Sequence, residues 1–274
     1  MTIPETQDFL INGIKEGCLS PLDRGFAYGD GIFRTLTIQD GCAQHWALHY
    51  AKLVHDCNML GIVCPSATVL LNDIERLFAD SQHAVAKIII TRGEGARGYS
   101  MPSLAQPTRV VIKSAFPHYP QAHFEQGVRL HLCQTRLGLQ PQLAGIKHLN
   151  RLENVIARAE WSDSAVADGL LLDVEGNAIE CTASNLFARY DKTLLSPNLA
   201  RCGVAGVTRQ RVLEMAPGLG YATEIADIPL ATLLAADEVL ITNSLFGVWQ
   251  VLELSHKQWQ PQSMAARLRK LLQE

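Results

Sequence analysis

The first 116 residues contain two kinds of hydrophobic pattern, one typical of amphipathic helices and one typical of strands. Apolar side chains recur every three to four positions in His45–Leu60 and in Leu70–Phe78, a spacing that predicts two amphipathic helices. Asp40-Gly41 is typical of a tight hairpin turn, because glycine accepts positive φ. Helices and strands mix without strict alternation, so the pattern favours an α+β arrangement. Runs rich in β-branched residues predict strands at Phe9–Gly13, Ile32–Ile38, Ala86–Thr91 and Arg109–Ala115.

A polar segment with two prolines, Pro117 and Pro120, interrupts these patterns. Proline removes a backbone donor and breaks a sheet ladder. Residues 117–124 are therefore predicted to link a small N-terminal α/β domain, 1–116, to a larger C-terminal domain, 125–274. Beyond the linker, helices are predicted at Asn150–Trp161, from Gly206 onward and at Met264–Leu272. Strands are predicted at Val128–Cys133, Leu170–Val174, Ala178–Glu180, Leu186–Tyr190 and Glu238–Thr242.

Composition and charge narrow the class of protein. The chain has 274 residues, 47% of them hydrophobic and 19% charged, with a net charge of −3. Binding to nucleic acid thus lacks electrostatic support, and no apolar run reaches the ~20 residues that span a membrane. The polar start, Met1–Asp8, is unlike a signal peptide. Seven cysteines without CxxC spacing indicate reduced thiols, so a cytoplasmic enzyme or binding protein is predicted.

Two motif-like patterns do not indicate the sites they resemble. Gly93–Gly98 matches the GxGxxG pattern, but a dinucleotide site requires a helix opening at the third glycine. Tyr99 and Pro102 follow instead, so a flexible or substrate-facing loop is predicted. His45 and His49 have the spacing of a helical metal pair, yet neither a glutamate nor a third ligand accompanies them. They are interpreted as helix-surface histidines, and no metal site is predicted.

The segment Leu143–Arg151 places Lys147 among small and apolar residues, after a short extended run and before a helical pattern. Desolvation there would disfavour the ammonium form and lower the pKa of the amine, which could then act as nucleophile and base. Such a lysine suits Schiff-base chemistry. Most lysines at strand ends are nevertheless solvated surface charges, so this interpretation depends on the other segments.

Two later segments fit a pyridoxal phosphate pocket, which needs an acid for the pyridine nitrogen and an anion site for the phosphate. Glu180, at the end of a predicted hairpin strand, could supply the acid, although an isolated hairpin glutamate is usually solvated. Gly206–Arg209 opens a predicted helix, whose N–H groups suit a phosphate. Each signal is weak by itself because many helices begin in this way.

The strongest signal is the combination of five segments, both in their amino-acid sequences and in their order along the chain. They are Asp23-Arg24 with Tyr28–Phe33, His49–Leu53, Leu143–Arg151, Glu180–Phe187 and Gly206–Arg209. In these segments the chain resembles, nearly end to end, the class IV pyridoxal-phosphate enzymes. This family includes branched-chain and D-amino-acid aminotransferases and a lyase that forms 4-aminobenzoate. The resemblance implies a mixed α/β, two-domain fold that binds pyridoxal 5'-phosphate, in a homodimer whose second subunit completes the pocket.

The resemblance also implies roles for individual residues. Lys147 would be the catalytic lysine that bonds the cofactor as a Schiff base, and Glu180 would face the pyridine nitrogen. Lys52 stands where relatives usually carry an arginine, so it keeps the charge but loses bidentate contact with the phosphate. The other phosphate-binding residues would be Val207, Thr208 and Ser244. The candidates for binding substrate are Arg97, Thr35 and Asn243.

Within the family, Ile146–Glu153 and Arg92–Tyr99 look most like the lyase. That similarity implies a carbon–oxygen lyase that converts 4-amino-4-deoxychorismate to 4-aminobenzoate and pyruvate, a step towards folate. The alternative is a class IV aminotransferase acting on D- or branched-chain amino acids, because both activities use the same cofactor residues. A binding protein without catalysis and a nucleotide-dependent oxidoreductase are the remaining alternatives.

Overall fold

Pro117 marks the point where the chain leaves one folded unit for another. In the computed structural model, which describes residues 8–273, the first unit extends to Pro117 and also includes Ile146–Asn150. The second unit comprises His118–Gly145 and the chain from Arg151 onward. The domain limits 1–116 and 125–274 stay a prediction, and the predicted linker contains the start of a helix, Gln121–Glu125. The comparison of the first residues with a signal peptide concerns residues 1–7, which lie outside the described range.

The first unit is built on a six-stranded sheet in the order β2-β1-β6-β5-β3-β4. Each neighbouring pair of strands is antiparallel. The strands are β1 (Phe9–Ile11), β2 (Ile14–Lys15), β3 (Gly31–Gln39), β4 (Cys42–Ala43), β5 (His83–Thr91) and β6 (Arg109–Ala115). The helices are α1 (Arg24–Tyr28), α2 (Trp46–Met59) and α3 (Ala67–Phe78). The two amphipathic helices and the strands predicted for this region are confirmed.

One face of β3 forms the core of this unit because side chains alternate across a strand. Ile32, Leu36 and Ile38 are fully buried on that face. They share a hydrophobic cluster with apolar residues of α2 and α3, among them Leu53, Leu70, Ile74 and Phe78. The interpretation of His45 and His49 is half wrong. His45 is exposed and precedes α2, whereas His49 is buried within it.

The second unit closes one sheet upon itself. Strand pairings run in the order β10-β13-β14-β7-β8-β9, and β9 pairs again with β10. Each of these six strands therefore has a neighbour on both sides, whereas β12 remains an edge strand of the same sheet. The strands are β7 (Val128–Leu137), β8 (Val166–Asp173), β9 (Ala178–Cys181), β10 (Asn185–Tyr190), β11 (Thr193–Pro197), β12 (Ala222–Ala226), β13 (Glu238–Asn243), β14 (Gly247–Leu254) and β15 (Lys257–Gln258). The helices are α4 (Gln121–Glu125), α5 (Leu152–Arg158), α6 (Val207–Met215), α7 (Leu230–Leu234) and α8 (Met264–Gln273).

Most predicted elements of the second unit are confirmed, but two differ near Lys147. The helix predicted at Asn150–Trp161 is shorter, because α5 spans only Leu152–Arg158. The extended run expected before Lys147 is not a strand. Gly145 and His148 make isolated bridges instead. Within residues 8–273, no helix combines the length and apolar character needed to cross a bilayer.

Candidate active site

The segment that carries Lys147 is held by main-chain bonds to β3. Phe33 donates its N–H to the carbonyl of Lys147 over 2.9 Å, and Leu149 donates to the carbonyl of Gly31 over 2.9 Å. Ile146 is fully buried in the hydrophobic cluster of the first unit. These contacts fix the backbone on both sides of Lys147. Its side chain projects over β3, where Nζ lies 4.6 Å from the centre of the Phe33 ring.

Asp56 is a buried carboxylate that joins Lys147 to two other cations. Its oxygens form ion pairs with the side chains of Arg34 and Lys52, and Oδ2 also accepts the Lys147 backbone N–H over 3.2 Å. Asp56 is fully buried, and a buried carboxylate requires such compensation. The sequence analysis missed Asp56 and Arg34. Both left a signal, since Arg34 occupies a core-facing position of an apolar strand and Asp56 is four residues beyond Lys52 on one helix face.

Lys52 is half-enclosed beside this carboxylate. Desolvation by burial lowers the pKa of Lys52, while the charge of Asp56 partly opposes that shift. The predicted contact between Lys52 and a phosphate stays a prediction. The ion pair does show that the ammonium is oriented from within its own helix, so Lys52 would supply charge rather than a forked contact.

Replacing Lys52 should therefore weaken cofactor binding without abolishing it. We expect Lys52→Ala to cost roughly 1.5–3 kcal/mol of cofactor binding, the scale of a hydrogen bond to a charged group. Lys52→Arg should retain or modestly tighten binding, because a guanidinium can fork onto two oxygens. Titration of the apoenzyme with pyridoxal phosphate measures both. Lys113→Ala is the matched control, since Lys113 of the same unit donates to the carbonyl of Leu77. Equal dissociation constants for wild type and Lys52→Ala would exclude a contact between Lys52 and the cofactor phosphate.

The face of β3 opposite the core carries Phe33 and Thr35, which are half-buried. Lys87, paired with Thr35 in the sheet register, places its Nζ 5.1 Å from the Phe33 ring. Two lysine amines therefore lie over one aromatic ring. The sequence analysis did not identify Lys87, although a lysine inside an apolar strand run is a detectable signal. Its charge suits a carboxylate group of a ligand that reacts at Lys147.

In the second unit, Glu180 is buried at the point where the sheet closes. Asn185 of β10 is its partner in the register between β9 and β10. Oε2 of Glu180 accepts the N–H of Val204 over 2.7 Å, and that bond orients the carboxylate. Gly203, with a φ of 85°, allows the close approach, since a Cβ there would lie 3.4 Å from Oε2 and only 2.7 Å from Ile179. Any side chain at position 203 would be strained.

The start of α6 combines the groups that bind a phosphate. The N-cap is Gly206, which has no side chain to occupy the helix end. A Cβ at Gly206 would lie 2.2 Å from Oδ1 of Asn185, so only glycine fits there. The hydroxyl of Thr208 lies 3.3 Å from that of Ser244. Backbone N–H groups at a helix start and two neighbouring hydroxyls are suitable donors for an anion.

A buried arginine follows directly in this helix. Arg209 donates from Nε to the hydroxyl of Ser196 over 2.7 Å and from Nη2 to the carbonyl of Pro197 over 3.0 Å. Desolvation by burial lowers the pKa of Arg209 to about 10, while the charge of Glu180 opposes that shift. Arg209 thus adds positive charge behind the helix start, which favours an anion there. The sequence analysis quoted Arg209 in the motif but gave it no role.

Asp168 fixes the loop that follows Glu180. Its oxygens accept the hydroxyls of Thr182 and Ser184 over 2.6 and 2.8 Å and the N–H of Gly169 over 2.8 Å. Desolvation by burial raises the pKa of Asp168, and these hydrogen bonds oppose the shift. A carboxylate that bridges two hydroxyls fixes the short segment between Glu180 and Asn185.

The substrate-side candidates are less clearly placed. Arg97 is exposed and, within residues 8–273, makes no hydrogen bond or ion pair. The amide of Asn243 is engaged in its own turn, accepting from Leu245 and Phe246 and donating to the carbonyl of Ala183 over 3.3 Å. The roles predicted for Arg97, Thr35 and Asn243 stay predictions.

Each unit, taken by itself, fits part of pyridoxal phosphate. The first offers an amine, Lys147, and the nearby cation Lys52. The second offers a buried acid, Glu180, and an anion-binding helix start with the hydroxyls of Thr208 and Ser244. The chemistry of these donors matches the aldehyde, the pyridine nitrogen and the phosphate that the cofactor presents.

Comparison with known proteins assigns the family. The model of the amino-transferase class IV family matches residues 31–254. The chain belongs to this family. The matched residues begin in β3 and end in β14, so they include Lys147 and every residue predicted to bind the cofactor. The mixed α/β fold implied by the resemblance is confirmed.

Three members of the family illustrate its range. The chain is 40% identical to aminodeoxychorismate lyase of Vibrio harveyi, over 90% of this chain and 91% of that protein. It is 45% identical to the structure of 4-amino-4-deoxychorismate lyase from Pseudomonas aeruginosa, with a TM-score of 0.92 and coverage of 97% and 98%. A D-alanine aminotransferase of Listeria monocytogenes is 25% identical, over 82% of this chain and 78% of that protein.

Proposed function

We propose that the chain converts 4-amino-4-deoxychorismate to 4-aminobenzoate and pyruvate, with pyridoxal 5'-phosphate as its cofactor. The observation that carries the proposal is its similarity, over nearly the whole length, to two lyases at 40% and 45% identity. Identity to the D-alanine aminotransferase is 25%. The lyase is therefore better supported than the alternative, a class IV aminotransferase.

The reaction is an elimination in which every substrate atom appears in the two products. Bound pyridoxal phosphate would supply an electron sink for the carbon that bears the substrate amine. Lys147 would hold the cofactor at rest, and its neutral Nζ would take the proton from the carbon that bears the substrate amine. The C–O bond to the enolpyruvyl group breaks, the ring becomes aromatic, and the protonated Nζ can return its proton to the departing group. This use of one lysine requires an amine that is neutral for part of the cycle.

The remaining residues would hold the cofactor in position and tune it. The Glu180 carboxylate, oriented by the Val204 N–H, would keep a proton on the pyridine nitrogen. Val207 and Thr208 would bind the phosphate through helix N–H groups, aided by the hydroxyl of Ser244 and the charge of Lys52. Asp56 would steady the Lys147 backbone through its N–H.

The substrate carries two carboxylates, and two cations of the first unit suit them. Lys87 shares with Lys147 a position over the Phe33 ring, and Thr35 lies on the same strand face. Arg97 is the second cation, on an exposed loop. We assign these three residues to substrate binding because each offers a donor without belonging to the buried charge cluster around Asp56.

The chain would act as a homodimer. One face of α5 exposes Leu152, Val155 and Ile156 by 68%, 62% and 52%, at the spacing of a helical stripe. In the first unit, Phe26, Tyr99 and Leu104 are also largely exposed. Exposed apolar patches of this kind mark interaction surfaces, and sedimentation should give twice the mass of one chain.

We place the enzyme in the cytoplasm, in keeping with its buried thiols at Cys57, Cys133 and Cys181, and propose neither nucleic acid nor a membrane as partner.

Product analysis tests the function directly. The holoenzyme should release pyruvate and 4-aminobenzoate in equal amounts from 4-amino-4-deoxychorismate. In parallel, the same protein is offered D-alanine or a branched-chain amino acid with a 2-oxo acid. Amino-group exchange without pyruvate release from aminodeoxychorismate would overturn the lyase and favour the aminotransferase. Neither activity in cofactor-loaded protein would overturn both.

A further inference from the structure

Arg24 is a buried arginine that binds the loop Gly93–Ser100, which lies about 70 residues further along the chain. It begins α1, and its side chain is almost completely enclosed. Nη1 donates to the carbonyls of Gly98 and Ser100 over 3.0 and 3.3 Å, and Nη2 donates to that of Tyr99 over 3.3 Å. One guanidinium therefore binds three successive carbonyls, directly after Arg97.

Further bonds fasten the rest of the same loop. The N–H of Arg24 donates to the carbonyl of Gly93 over 2.9 Å, and Gly95 donates to that of Leu22 over 3.2 Å. The hydroxyl of Tyr28, whose ring lies 5.1 Å below the Arg24 guanidinium, accepts the N–H of Gly98 over 3.1 Å. The loop is thus anchored on both sides of Arg97, and the prediction that it faces the substrate stays a prediction. The Arg97 side chain itself is left exposed.

Asp30 orients the Arg24 guanidinium and also binds a second arginine, Arg92, with which Arg24 can be compared. It accepts from Nε of Arg24 over 2.9 Å and from Nε of Arg92 over 2.7 Å. Nη2 of Arg92 also donates to Oδ1 of Asp30 over 3.0 Å. Its Nη2 and Nη1 reach the carbonyls of Leu60 and Gly61 over 2.7 and 2.8 Å. The two arginines therefore share one carboxylate, but only Arg24 reaches the loop.

We infer that Arg24 is a positioning residue that holds the Gly93–Ser100 loop so that Arg97 can bind a carboxylate of the substrate. The inference rests on the proposed function, because it takes Arg97 as a substrate contact. An exposed arginine on a loose loop must be ordered when substrate binds, and that ordering lowers affinity. A guanidinium that fixes the three carbonyls after Arg97 removes most of this cost in advance. Lysine at position 24 could keep the ion pair with Asp30 but could not bind three carbonyls at once.

The first measurement is the kinetics of Arg24→Lys, with Arg92→Lys as matched control. We expect the KM for aminodeoxychorismate to rise about tenfold in Arg24→Lys, with kcat within about twofold, because lost binding that is uniform along the reaction raises KM alone. Arg92→Lys should leave KM nearly unchanged. The absorbance of bound cofactor checks that each variant is folded and loaded. Tyr28→Phe, which removes only the acceptor of the Gly98 N–H, should raise KM in the same direction by a smaller factor.

The second measurement reports on the loop without any substrate. Trypsin cuts after arginine, and an anchored loop resists it because cleavage needs local opening. Cutting at Arg97–Gly98 should be faster in Arg24→Lys than in wild type or Arg92→Lys. Unchanged KM, or unchanged cleavage, in Arg24→Lys would overturn the inference. If wild-type protein released no pyruvate, the proposed function would fail instead, while the cleavage comparison would still report whether Arg24 holds the loop.

Discussion

Lys147→Ala should abolish turnover and leave the fold intact. The variant loses both the amine that bonds the cofactor and the base that takes the substrate proton. General base catalysis alone is worth about 10²–10⁴ in rate, so several orders of magnitude should be lost. The fold should persist because the segment is held by its main chain, through hydrogen bonds to Phe33, Gly31 and Asp56.

Lys147→Arg provides the matched comparison. Arginine keeps a cation over the Phe33 ring, but it stays protonated and cannot serve as nucleophile or base. Both variants should therefore be inactive, and the near-visible absorbance of lysine-bound cofactor should be absent from both. Product release is measured on protein whose circular dichroism matches wild type. Normal activity in a well-folded Lys147→Ala variant would contradict the proposed function. Activity in Lys147→Arg alone would mean that Lys147 contributes only a positive charge.

Glu180→Gln should slow proton removal while the cofactor remains bound. Glutamine keeps an oxygen to accept the Val204 N–H, so the buried geometry is preserved. It cannot carry the negative charge that would keep the pyridine nitrogen protonated. Loss of one preorganised electrostatic group in an active site typically costs about 10²–10³ in rate. Cofactor affinity should change much less, because the phosphate would be held at the start of α6.

Single-turnover rates on cofactor-loaded protein measure this effect. Glu253→Gln is a suitable control, since Glu253 of the same unit is partly exposed. Its ion pair with Nε of Arg129 is long, at 3.9 Å. That substitution should leave the rate unchanged. Equal single-turnover rates for wild type and Glu180→Gln would exclude the role given to Glu180, while leaving the argument about Lys147 standing.

Local pattern was sufficient wherever an element depends on its own residues. The helix predicted at His45–Leu60 is present as α2, and the Asp40-Gly41 turn joins β3 to β4. Both follow from periodicity and from the conformational preference of glycine. The same reasoning failed around Lys147, because the backbone there is held by β3 rather than by neighbours in sequence. It also missed β14, where Gln250 and Glu253 interrupt the apolar residues without the strict alternation that identifies a half-exposed strand.

The candidate site divides in the same way. Resemblance of short segments was enough to select Lys147, Glu180 and the start of α6. The contacts that hold these residues could not be predicted, because they depend on residues that are distant in sequence. Asp56 is 91 residues from Lys147, and nothing near either residue indicates the hydrogen bond between them. Arg34 could have been suspected from its core-facing position, but its partner could not.

By itself, the sequence determined the amphipathic helices α2, α3 and α8, the Asp40-Gly41 turn, the chemistry available at Lys147 and Glu180, and the family motifs. These depend on residue type and spacing, which are local properties of the chain. Only the tertiary structure decided that β9 pairs with β10, which sets Asn185 opposite Glu180, and that Asp56 is enclosed with Arg34 and Lys52. It also showed that Arg24 anchors the loop after Arg97. The physical reason is that burial and strand register arise from the packing of the whole unit, and a charge can be buried only where that packing also brings its partners.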